Sequence, residues 1–508
     1  MFKKEKLLPI LKESLFYLII FLFTFFSYII FKPMMSTIRN GVIAQIFALF
    51  CIVITITVMI ILKAKNKLTF PLIILFMLLI SYFVRLGYML YTPYNTRQYD
   101  TITSNFDGHE GYALTILQTG HLPTSNDYQF YHPPLNAAIQ ALFMKINMTL
   151  VPLLGGNQFD MNDVHQLYQT CQILSVLYSV IISVTGYKII KQFKLGARAT
   201  LLAFSFICFF PRLIQLSGQL NNDLLCIMFG FIAIYYAIKW YYNHSYLNTI
   251  LLAIFIGLAM NTKLSGATIC IPIAIIFIME FIKSIKAKNN VLSLCLKYAL
   301  FLVICAPIGL WFQIYAKMRF DQPFLYVYDP AADPTLSTAD HNIFERIFLF
   351  INFEEMFGNI FVNSRESYSL LNYNLKSAIF GEFSYWQGEN FAALSVFFNY
   401  LFFFASIILF IIYIMRAKKE NFLAKFMGLS IVISQALSII YFYIRMPYGC
   451  TMDFRYIVPI IIGFALLMGL CYDKFKEEKS KKSIFMKVTT SFMLAFLLFS
   501  NLFYLVCI

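Results

Sequence analysis

Residues 97–135 read RQYDTITSNFDGHEGYALTILQTGHLPTSNDYQFYHPPL, and this polar stretch separates apolar runs that are long enough to cross a bilayer. Its acidic and imidazole side chains are those of Asp100, Asp107, His109, Glu110, His121, Asp127 and His132. A connecting loop needs turn-forming residues, but it does not need so many titratable ones. Carboxylates and imidazoles gathered at a membrane surface are typical of a membrane-embedded enzyme that moves protons.

The composition predicts a polytopic membrane protein. Of the 508 residues, 60% are hydrophobic and only 13% are charged, whereas a soluble chain carries about 25% charged residues. The net charge of +15 comes mainly from short basic clusters between apolar runs. Such clusters orient a membrane protein and do not indicate nucleic-acid binding. We therefore expect membrane lipids, and no nucleic acid, as partners.

The length rule for a spanning helix, about 20 apolar residues, predicts an all-α bundle of about 13 transmembrane helices. The candidate spans are 14–32, 41–62, 70–91, 166–190, 199–216, 222–241, 246–262, 265–282, 296–315, 392–415, 425–444, 455–472 and 484–506. The fold class is thus an all-α polytopic membrane protein. Residues 1–508 are expected to form a single membrane domain without a separate soluble domain.

The basic clusters orient these helices, because cytoplasmic loops carry an excess of Lys and Arg. All clusters fall on one side if the N-terminus is cytoplasmic and the apolar segment 134–153 does not cross the membrane. We therefore expect 134–153 to be a juxtamembrane or half-inserted helix, which the pair Pro133-Pro134 would start. Two large loops, 92–165 and 316–391, then lie on the extracytoplasmic side of the cytoplasmic membrane.

Further charged residues fall in or beside the predicted external turns, and they are expected to converge with the first loop on one cavity. They are Asp223, Lys263, Arg319, Asp321, Asp453 and Arg455. Anchoring at the membrane surface explains Lys263 and Arg319 equally well. A helix N-cap is the alternative for Asp223, and a mutual ion pair is the alternative for Asp453 and Arg455.

Asp100 lies close to the predicted membrane surface, shortly after the span that ends at Tyr91. A carboxylate near apolar surroundings is expected to have a raised pKa and to accept a proton from a hydroxyl group. Asp107 precedes Gly108, and because Asp-Gly is a common turn pair, a turn remains open as its role. The histidines lack zinc-ligand spacing, so we expect no cofactor, although a divalent ion held by aspartates remains open.

The first loop resembles that of bacterial GT-C glycosyltransferases similar to family 39, which has R-Q-x-D, G-H-x-G-Y, G-x-L-P and Q-F-Y-H-P-P-L in this order. The matching segments are RQYD at 97–100, GHEGY at 108–112, GHLP at 120–123 and QFYHPPL at 129–135. Later segments that resemble the family are NND at 221–223, NTKLSG at 261–266 and CTMDFRY at 450–456. The resemblance covers most of residues 70–470, and the loop motif is specific as a set.

This resemblance implies an inverting glycosyltransferase that uses a polyprenyl-phosphate sugar donor at the outer face of the membrane, with Asp100 as the catalytic base. Candidate ligands of the donor phosphate are Arg97, His109, Lys263, Arg319 and Arg455. Candidate residues of the sugar or acceptor pocket are Asp107, Tyr112, His132, Asn222, Asp223 and Asp453. Residues interpreted as a lid or acceptor surface in the second loop are Tyr326, Tyr328, Trp386 and Gln387. The acceptor, whether lipid, glycan or protein, is left open.

A transporter or flippase of a lipid-linked saccharide is the alternative function. Such a protein would have charged residues near the middle of the bilayer and interrupted helices there. The charges of this sequence lie mostly at the ends of the predicted spans, and Arg85, inside the third span, is the exception. Arg212 lies nearer to an end and is interpreted as reaching the membrane surface.

Overall fold

The computed structural model describes residues 15, 17–27, 29, 38–96, 98, 100–101, 107–153, 164–288, 291–329, 337–348, 369–381, 389–416, 421–478 and 480–506. Within these ranges the regular elements are helices, and the only β pairing is an isolated bridge between Ser337 and Tyr448. The prediction of an all-α fold is confirmed. Arg97, Trp386 and Gln387 lie outside the described residues.

The α-helices of the described chain are numbered here in order. They are α1 (Tyr17–Ser27), α2 (Ile38–Ala64), α3 (Phe70–Tyr91), α4 (His109–Thr119), α5 (Leu135–Leu153), α6 (Val164–Thr170), α7 (Gln172–Gln192), α8 (Ala197–Cys208), α9 (Pro211–Ser217), α10 (Asp223–Tyr242), α11 (Tyr246–Met260), α12 (Cys270–Lys286), α13 (Val291–Phe320), α14 (Ile343–Phe348), α15 (Leu370–Phe380), α16 (Glu389–Arg416), α17 (Phe422–Arg445), α18 (Ile460–Phe475) and α19 (Lys481–Val506). Short 3-10 helices lie at Tyr128–Tyr131, Leu264–Ile269, Gly449–Met452 and Phe454–Ile457.

Ten helical segments of the described chain are long and apolar enough to cross a membrane, or eleven if the bent pair 449–457 and 460–475 forms one span. The helix axis bends by 52° between the two parts of that pair. The prediction of about 13 spans is not confirmed, because it counted two apolar helices, Tyr17–Ser27 and Tyr246–Met260, that are shorter than the ten. Each predicted span nevertheless has a helix at its position.

The bundle is built from long helices whose apolar side chains pack on one another. α16 packs along α19, α10 packs against α7 and α11, and α17 packs on α18. Phe204, Phe231 and Trp240 are fully buried in this core. In contrast, α13 exposes large apolar side chains, including Leu302 (61% exposed) and Val303 (70% exposed). An exposed apolar helix face of this kind suits contact with lipid tails.

The span formed by α8 and α9 is interrupted beside Pro211, whose nitrogen has no hydrogen to continue the helix. The fully buried Arg85 of α3 fills this interruption. Its guanidinium donates to the carbonyl of Cys208, at the end of α8, at 2.9 Å and to the Ser179 hydroxyl of α7 at 2.6 Å. A cation at this position is stabilised by the negative end of the α8 dipole. Arg85 thus joins three helices.

One end of the bundle carries the turns that hold the candidate residues, and we call it the loop face. Here the Gln172 side chain, at the start of α7, donates to the carbonyls of Thr92 at 2.9 Å and Gly218 at 2.6 Å. The Gln98 side chain accepts from the backbone N–H of Leu220 at 2.7 Å. The ends of α3 and α9 and the start of α7 are therefore fixed against one another.

The two long loops also meet this face. α5 begins on it, because the backbone N–H of Leu135 donates to the carbonyl of Asn261 at 3.4 Å. α5 is not among the described helices that are long and apolar enough to cross a membrane, and its juxtamembrane location stays a prediction. The second loop is shorter than the predicted 316–391, because α13 continues to Phe320 and α16 already begins at Glu389.

Candidate active site

Asp100 lies at the centre of the loop face, and each of its carboxylate oxygens has a hydrogen-bond donor. Arg455 donates from Nη1 to Oδ2 at 3.0 Å, and the hydroxyl of Tyr128 donates to Oδ1 at 3.2 Å. The Asp100 side chain is 20% exposed and that of Arg455 13% exposed. The ion pair is therefore largely shielded from water but still accessible from one side.

The surroundings of Asp100 shift its pKa in a direction opposite to the one expected from the sequence. Burial by itself would raise this pKa, but the positive charge of Arg455, followed by His109, the Arg455 hydrogen bond and Lys263, lowers it below its ordinary value. The expectation of a raised pKa is wrong because it considered burial without the partner cation. In this state Asp100 is ionised at neutral pH.

The backbone around Gly108 places Asp100. The N–H of His109, the first residue of α4, donates to the carbonyl of Asp100 at 3.0 Å. A Cβ atom at Gly108 would lie 2.9 Å from that carbonyl oxygen and 2.8 Å from the carbonyl carbon of Thr101. Only glycine permits this close backbone approach. The glycine of the GHEGY segment therefore fixes the distance between α4 and the Asp100 turn.

Substituting Gly108 with alanine should push the Asp100 turn away from α4. Because a displacement of about 1 Å in a catalytic group costs about 100-fold in rate, we expect Gly108→Ala to lower turnover about 10-fold or more. Sugar-transfer assays on the purified variant measure this effect. Gln118→Ala, at an exposed position of the same helix α4, is the control; equal turnover in the two variants would contradict the role of Gly108.

A second ion pair lies on the same face. The Nζ of Lys263 donates to Oδ1 of Asp223 at 2.5 Å, with the two side chains 11% and 4% exposed. Lys263 Nζ also lies 5.0 Å from the ring centre of Tyr456, and the guanidinium of Arg455 lies 5.2 Å from the same ring. The two cations thus share one aromatic neighbour and form a compact positive site between two carboxylates.

The structure decides between the alternatives for these residues. Lys263 is an ion-pair partner and not a surface anchor. The N-cap position of α10 is occupied by Asn222, whose side chain makes no capping bond. Asp223 is the first helical residue, and its backbone N–H donates to the Oδ1 of Asn221 at 3.1 Å. The N-cap interpretation of Asp223 is therefore wrong.

Asp453 and Arg455 do not form the ion pair with each other that the sequence suggested. Asp453 instead pairs with Arg212, whose Nη2 donates to both carboxylate oxygens at 2.7 Å, and both side chains are buried. Asp453 Oδ1 also accepts from the backbone N–H of Arg455 at 2.8 Å. Arg212 therefore does not reach the membrane surface as predicted, and it fixes the turn that directs Arg455 towards Asp100.

His109 and His132 stack on each other, with ring centres 6.0 Å apart and planes at 12°. Burial lowers the pKa of His109 to about 4 and that of His132 well below its ordinary value. Both rings are therefore neutral at neutral pH. As a candidate phosphate ligand, His109 would contribute hydrogen bonds but no positive charge.

The remaining first-loop candidates are buried around this stack. Tyr112 donates from its hydroxyl to the carbonyl of His132 at 3.2 Å, and the carbonyl of Asp107 accepts from the backbone N–H of Gln129 at 3.1 Å. Both contacts join the two halves of the loop. Burial, together with the charge of Asp100, raises the pKa of the neighbouring Glu110 to about 8, so that this carboxyl group is mostly protonated at neutral pH.

Two further phosphate ligands, Arg97 and Arg319, were predicted from the sequence. Arg97 lies outside the described residues. Arg319 is exposed near the end of α13, and among the described residues it forms no ion pair with the carboxylates of the site. Its interpretation as a membrane anchor is therefore the simpler one.

The sequence interpretation missed Tyr128 and misread Arg212. The role of Tyr128 could not be recognised in the sequence, because a tyrosine in an aromatic-rich loop has no distinctive spacing. The second loop reaches the same place: Tyr328 packs edge-on against Tyr128 and Tyr326 against Tyr131, each at 5.6 Å between ring centres. Tyr326 and Tyr328 therefore contact the first loop, and their role as a lid or acceptor surface stays a prediction.

An apolar cavity of about 180 Å³ lies beside the site, between α8, α15, α16, α17 and α18. Its walls include Phe210, Leu370, Phe402, Phe454 and Phe464. Phe454 is the residue between Asp453 and Arg455, so the cavity and the cation site share one turn of the chain. Within the described residues, no group of three or more His, Cys, Asp or Glu side chains could hold a metal ion.

Comparison with known proteins agrees with the motif resemblance. Residues 162–311 match the model of the dolichyl-phosphate-mannose-protein mannosyltransferase family. The chain is similar to the GT-C glycosyltransferases. The matched segment includes Asp223 and Lys263 but neither Asp100 nor Arg455, so the link between the two ion pairs rests on the geometry described above. No curated protein matches the sequence.

Among solved structures, similar folds include two of the oligosaccharyltransferase from Archaeoglobus fulgidus. One carries a tethered acceptor peptide and shows 12% identity and a TM-score of 0.46, covering 85% of this chain. The other is a complex with an inhibitory peptide and a dolichol-phosphate and shows 10% identity and a TM-score of 0.43, covering 84% of this chain. This chain spans 55% of each of those chains.

Proposed function

We propose that this protein is an inverting glycosyltransferase that moves a sugar from a polyprenyl-phosphate-linked donor to an acceptor at the outer face of the cytoplasmic membrane. The observation that carries this proposal is the Asp100–Arg455 ion pair, which brings a carboxylate from the first loop against a cation from the last turn before α18. It thus combines the two groups that the reaction needs, a base for the acceptor and a cation for the leaving phosphate.

The donor phosphate is bound by Arg455 and Lys263 in this scheme. Both cations contact the ring of Tyr456, and a phosphate placed between them would receive charge-assisted hydrogen bonds from each. Arg455 supplies a planar guanidinium that suits phosphate oxygens, whereas Lys263 supplies a compact charge. The apolar cavity beside Phe454 would then take the first part of the isoprenoid chain, because Phe454 directly precedes Arg455 in the chain and the cavity is lined by aromatic and aliphatic groups.

The chemistry requires one displacement. A hydroxyl oxygen of the acceptor attacks the anomeric carbon of the donor sugar while its proton passes to the Asp100 carboxylate. The bond between the anomeric carbon and the phosphate oxygen breaks, and polyprenyl phosphate leaves with its charge held by Arg455 and Lys263. Because a single displacement inverts the anomeric configuration, no covalent intermediate and no second essential carboxylate are needed.

Donor binding also prepares the base. While Arg455 is paired with Asp100, the lowered pKa of the carboxyl group makes it a weak base. A phosphate that takes over the Arg455 guanidinium weakens this pair and raises the proton affinity of Asp100. Asp100 would therefore become an effective base only after the donor is bound.

The outer location of the site is proposed from the distribution of charge. Asp473, at the opposite end of the bundle, accepts a hydrogen bond from the backbone N–H of Gly196 at 2.7 Å. The basic clusters that follow α7 and α18 lie within a few residues of Gly196 and Asp473, respectively, in the sequence. The positive-inside rule assigns such an end to the cytoplasm, with the N-terminus on the same side.

Transfer of radiolabelled sugar from defined polyprenyl-phosphate sugars to total envelope material tests the function directly. Purified protein should transfer label from at least one donor, and the configuration of the product bond should be opposite to that of the donor. Absence of transfer from every donor by a folded protein would contradict the proposal. Arg85 does not support the alternative function of a lipid-saccharide transporter. Its guanidinium donates hydrogen bonds to groups of its own helix and of neighbouring helices.

Removing the guanidinium of Arg455 should weaken use of the donor. A hydrogen bond to a charged group contributes about 1.5–3 kcal/mol, so we expect Arg455→Gln to lower kcat/KM for the donor about 10- to 100-fold. The acid limb of the pH profile should move upward, because the cation that lowers the pKa of Asp100 is lost. Arg319→Gln, at an exposed arginine near the same face, is the control, and an equal loss in both variants would contradict the assignment.

A further inference from the structure

Tyr128 has a backbone conformation that tyrosine rarely adopts. Its φ is +40°, in the left-handed region, at the start of the 3-10 helix Tyr128–Tyr131. A bulky residue in this region is strained, and such strain persists where the surrounding structure enforces it, often at functional sites. If only the turn mattered, glycine or asparagine would adopt this positive φ with less strain. The identity of the side chain therefore requires a separate explanation.

The contacts of the side chain supply that explanation. The hydroxyl of Tyr128 donates to Oδ1 of Asp100 at 3.2 Å, while Arg455 occupies Oδ2. The ring packs edge-on against Tyr328 of the second loop. Burial and the charge of Asp100 raise the pKa of Tyr128 above its ordinary value, so the phenol remains a hydrogen-bond donor.

We propose that Tyr128 is a positioning residue for Asp100: its phenol orients the carboxylate and keeps it ionised, while its ring connects the base to Tyr328 of the second loop. This inference rests on the proposed role of Asp100 as the base. Its importance increases when the donor is bound, because the phosphate then competes for Arg455 and the phenol remains as the other donor to the carboxylate.

Other groups also influence the titration of Asp100 and are kept constant in the test. They are Arg455, His109, Lys263 and Glu110. Tyr131 provides a matched control, because it packs against Tyr326 of the second loop at the same 5.6 Å as Tyr128 packs against Tyr328. Its hydroxyl makes no hydrogen bond to Asp100 among the described contacts. The two tyrosines therefore differ in the bond under test.

The first experiment needs no transfer activity. Infrared spectroscopy of the full-length protein in detergent identifies the carboxyl band of Asp100 as the one absent from Asp100→Asn, and pH titration of this band gives its midpoint. Tyr128→Phe should raise the midpoint by about half a unit to one unit, because a hydrogen bond to the ionised form is lost. Tyr131→Phe should leave the midpoint unchanged. Equal midpoints in wild type and Tyr128→Phe would overturn the proposal.

The second experiment uses kinetics. At saturating donor, Tyr128→Phe should shift the acid limb of kcat upward by a similar amount and lower kcat about 10-fold, with KM for the donor nearly unchanged. A fall in kcat without a shift of the acid limb would show a merely structural role and would contradict the proposal. If Tyr128→Phe shifts the infrared midpoint but the wild-type protein transfers no sugar, the proposed function is contradicted, whereas the contact between Tyr128 and Asp100 is supported.

Discussion

Asp100→Asn should nearly abolish sugar transfer while leaving the fold intact. Asparagine keeps the size of the side chain, and its amide oxygen can still accept a hydrogen bond from Arg455, but it cannot take up a proton. General-base catalysis contributes about 10²- to 10⁴-fold, and we expect a loss of this order in kcat. Turnover with a saturating donor measures it, and thermal unfolding of the purified variant shows whether the protein remains folded.

Asp321→Asn is the control for this prediction, because Asp321 is 90% exposed and pairs only with Lys317 of the same region among the described residues. We expect this variant to retain the transfer rate of wild type. If Asp100→Asn kept more than a tenth of the activity, the base would lie elsewhere. Glu110 would then be the next candidate, since its raised pKa suits proton acceptance only once it is deprotonated, at higher pH.

Arg212→Met should strongly destabilise the protein. It leaves the carboxylate of Asp453 buried without its cation, and breaking a buried ion pair in this way costs about 3–5 kcal/mol. The guanidinium of Arg212 also contacts Gly381 at the end of α15, where its Cζ would lie 3.1 Å from an added Cβ. A fall in the midpoint of thermal unfolding measures the loss, and reduced donor use should accompany it because Asp453 holds the turn of Arg455.

The control for Arg212→Met is Arg198→Met, at an exposed arginine of α8 in the same span. This variant should change the free energy of unfolding by at most about 0.5 kcal/mol, as is usual for surface sites. The double variant Arg212→Met with Asp453→Asn should recover part of the stability, since the buried charge is then removed as well. Equal unfolding midpoints for Arg212→Met and wild type would show that the pair does not stabilise the fold.

Membrane spans and their order were readable from the sequence because they depend on local composition. An apolar run of sufficient length has to become a helix in lipid, since its backbone groups have no other partners there. The predicted spans that include Tyr17–Ser27 and Tyr246–Met260 are not confirmed, because these helices, as described, are shorter than a span requires. The length of an apolar run predicts that a helix is present more reliably than it predicts where the helix begins and ends.

The sequence also singled out most of the charged residues that the structure brings together, because titratable groups are rare in such an apolar chain. It did not identify their partners. Asp453 was assigned to Arg455, two residues away, but it pairs with Arg212, and Arg455 pairs with Asp100. Proximity in sequence favoured the wrong pair, because the extended backbone at Asp453 directs the Asp453 side chain to Arg212 of α9 and the Arg455 side chain to Asp100 of the first loop.

The sequence by itself determined that this is an all-helical membrane protein with acidic and basic residues gathered in its loops. Only the tertiary structure decided which charges meet, since Asp100 and Arg455 are 355 positions apart and Arg212 and Asp453 are 241 apart. Hydrophobicity is a property of each segment, whereas an ion pair and the resulting pKa depend on distance and burial in three dimensions. For this reason the pKa of Asp100 was predicted in the wrong direction, and Tyr128 became visible only beside the carboxylate to which it donates.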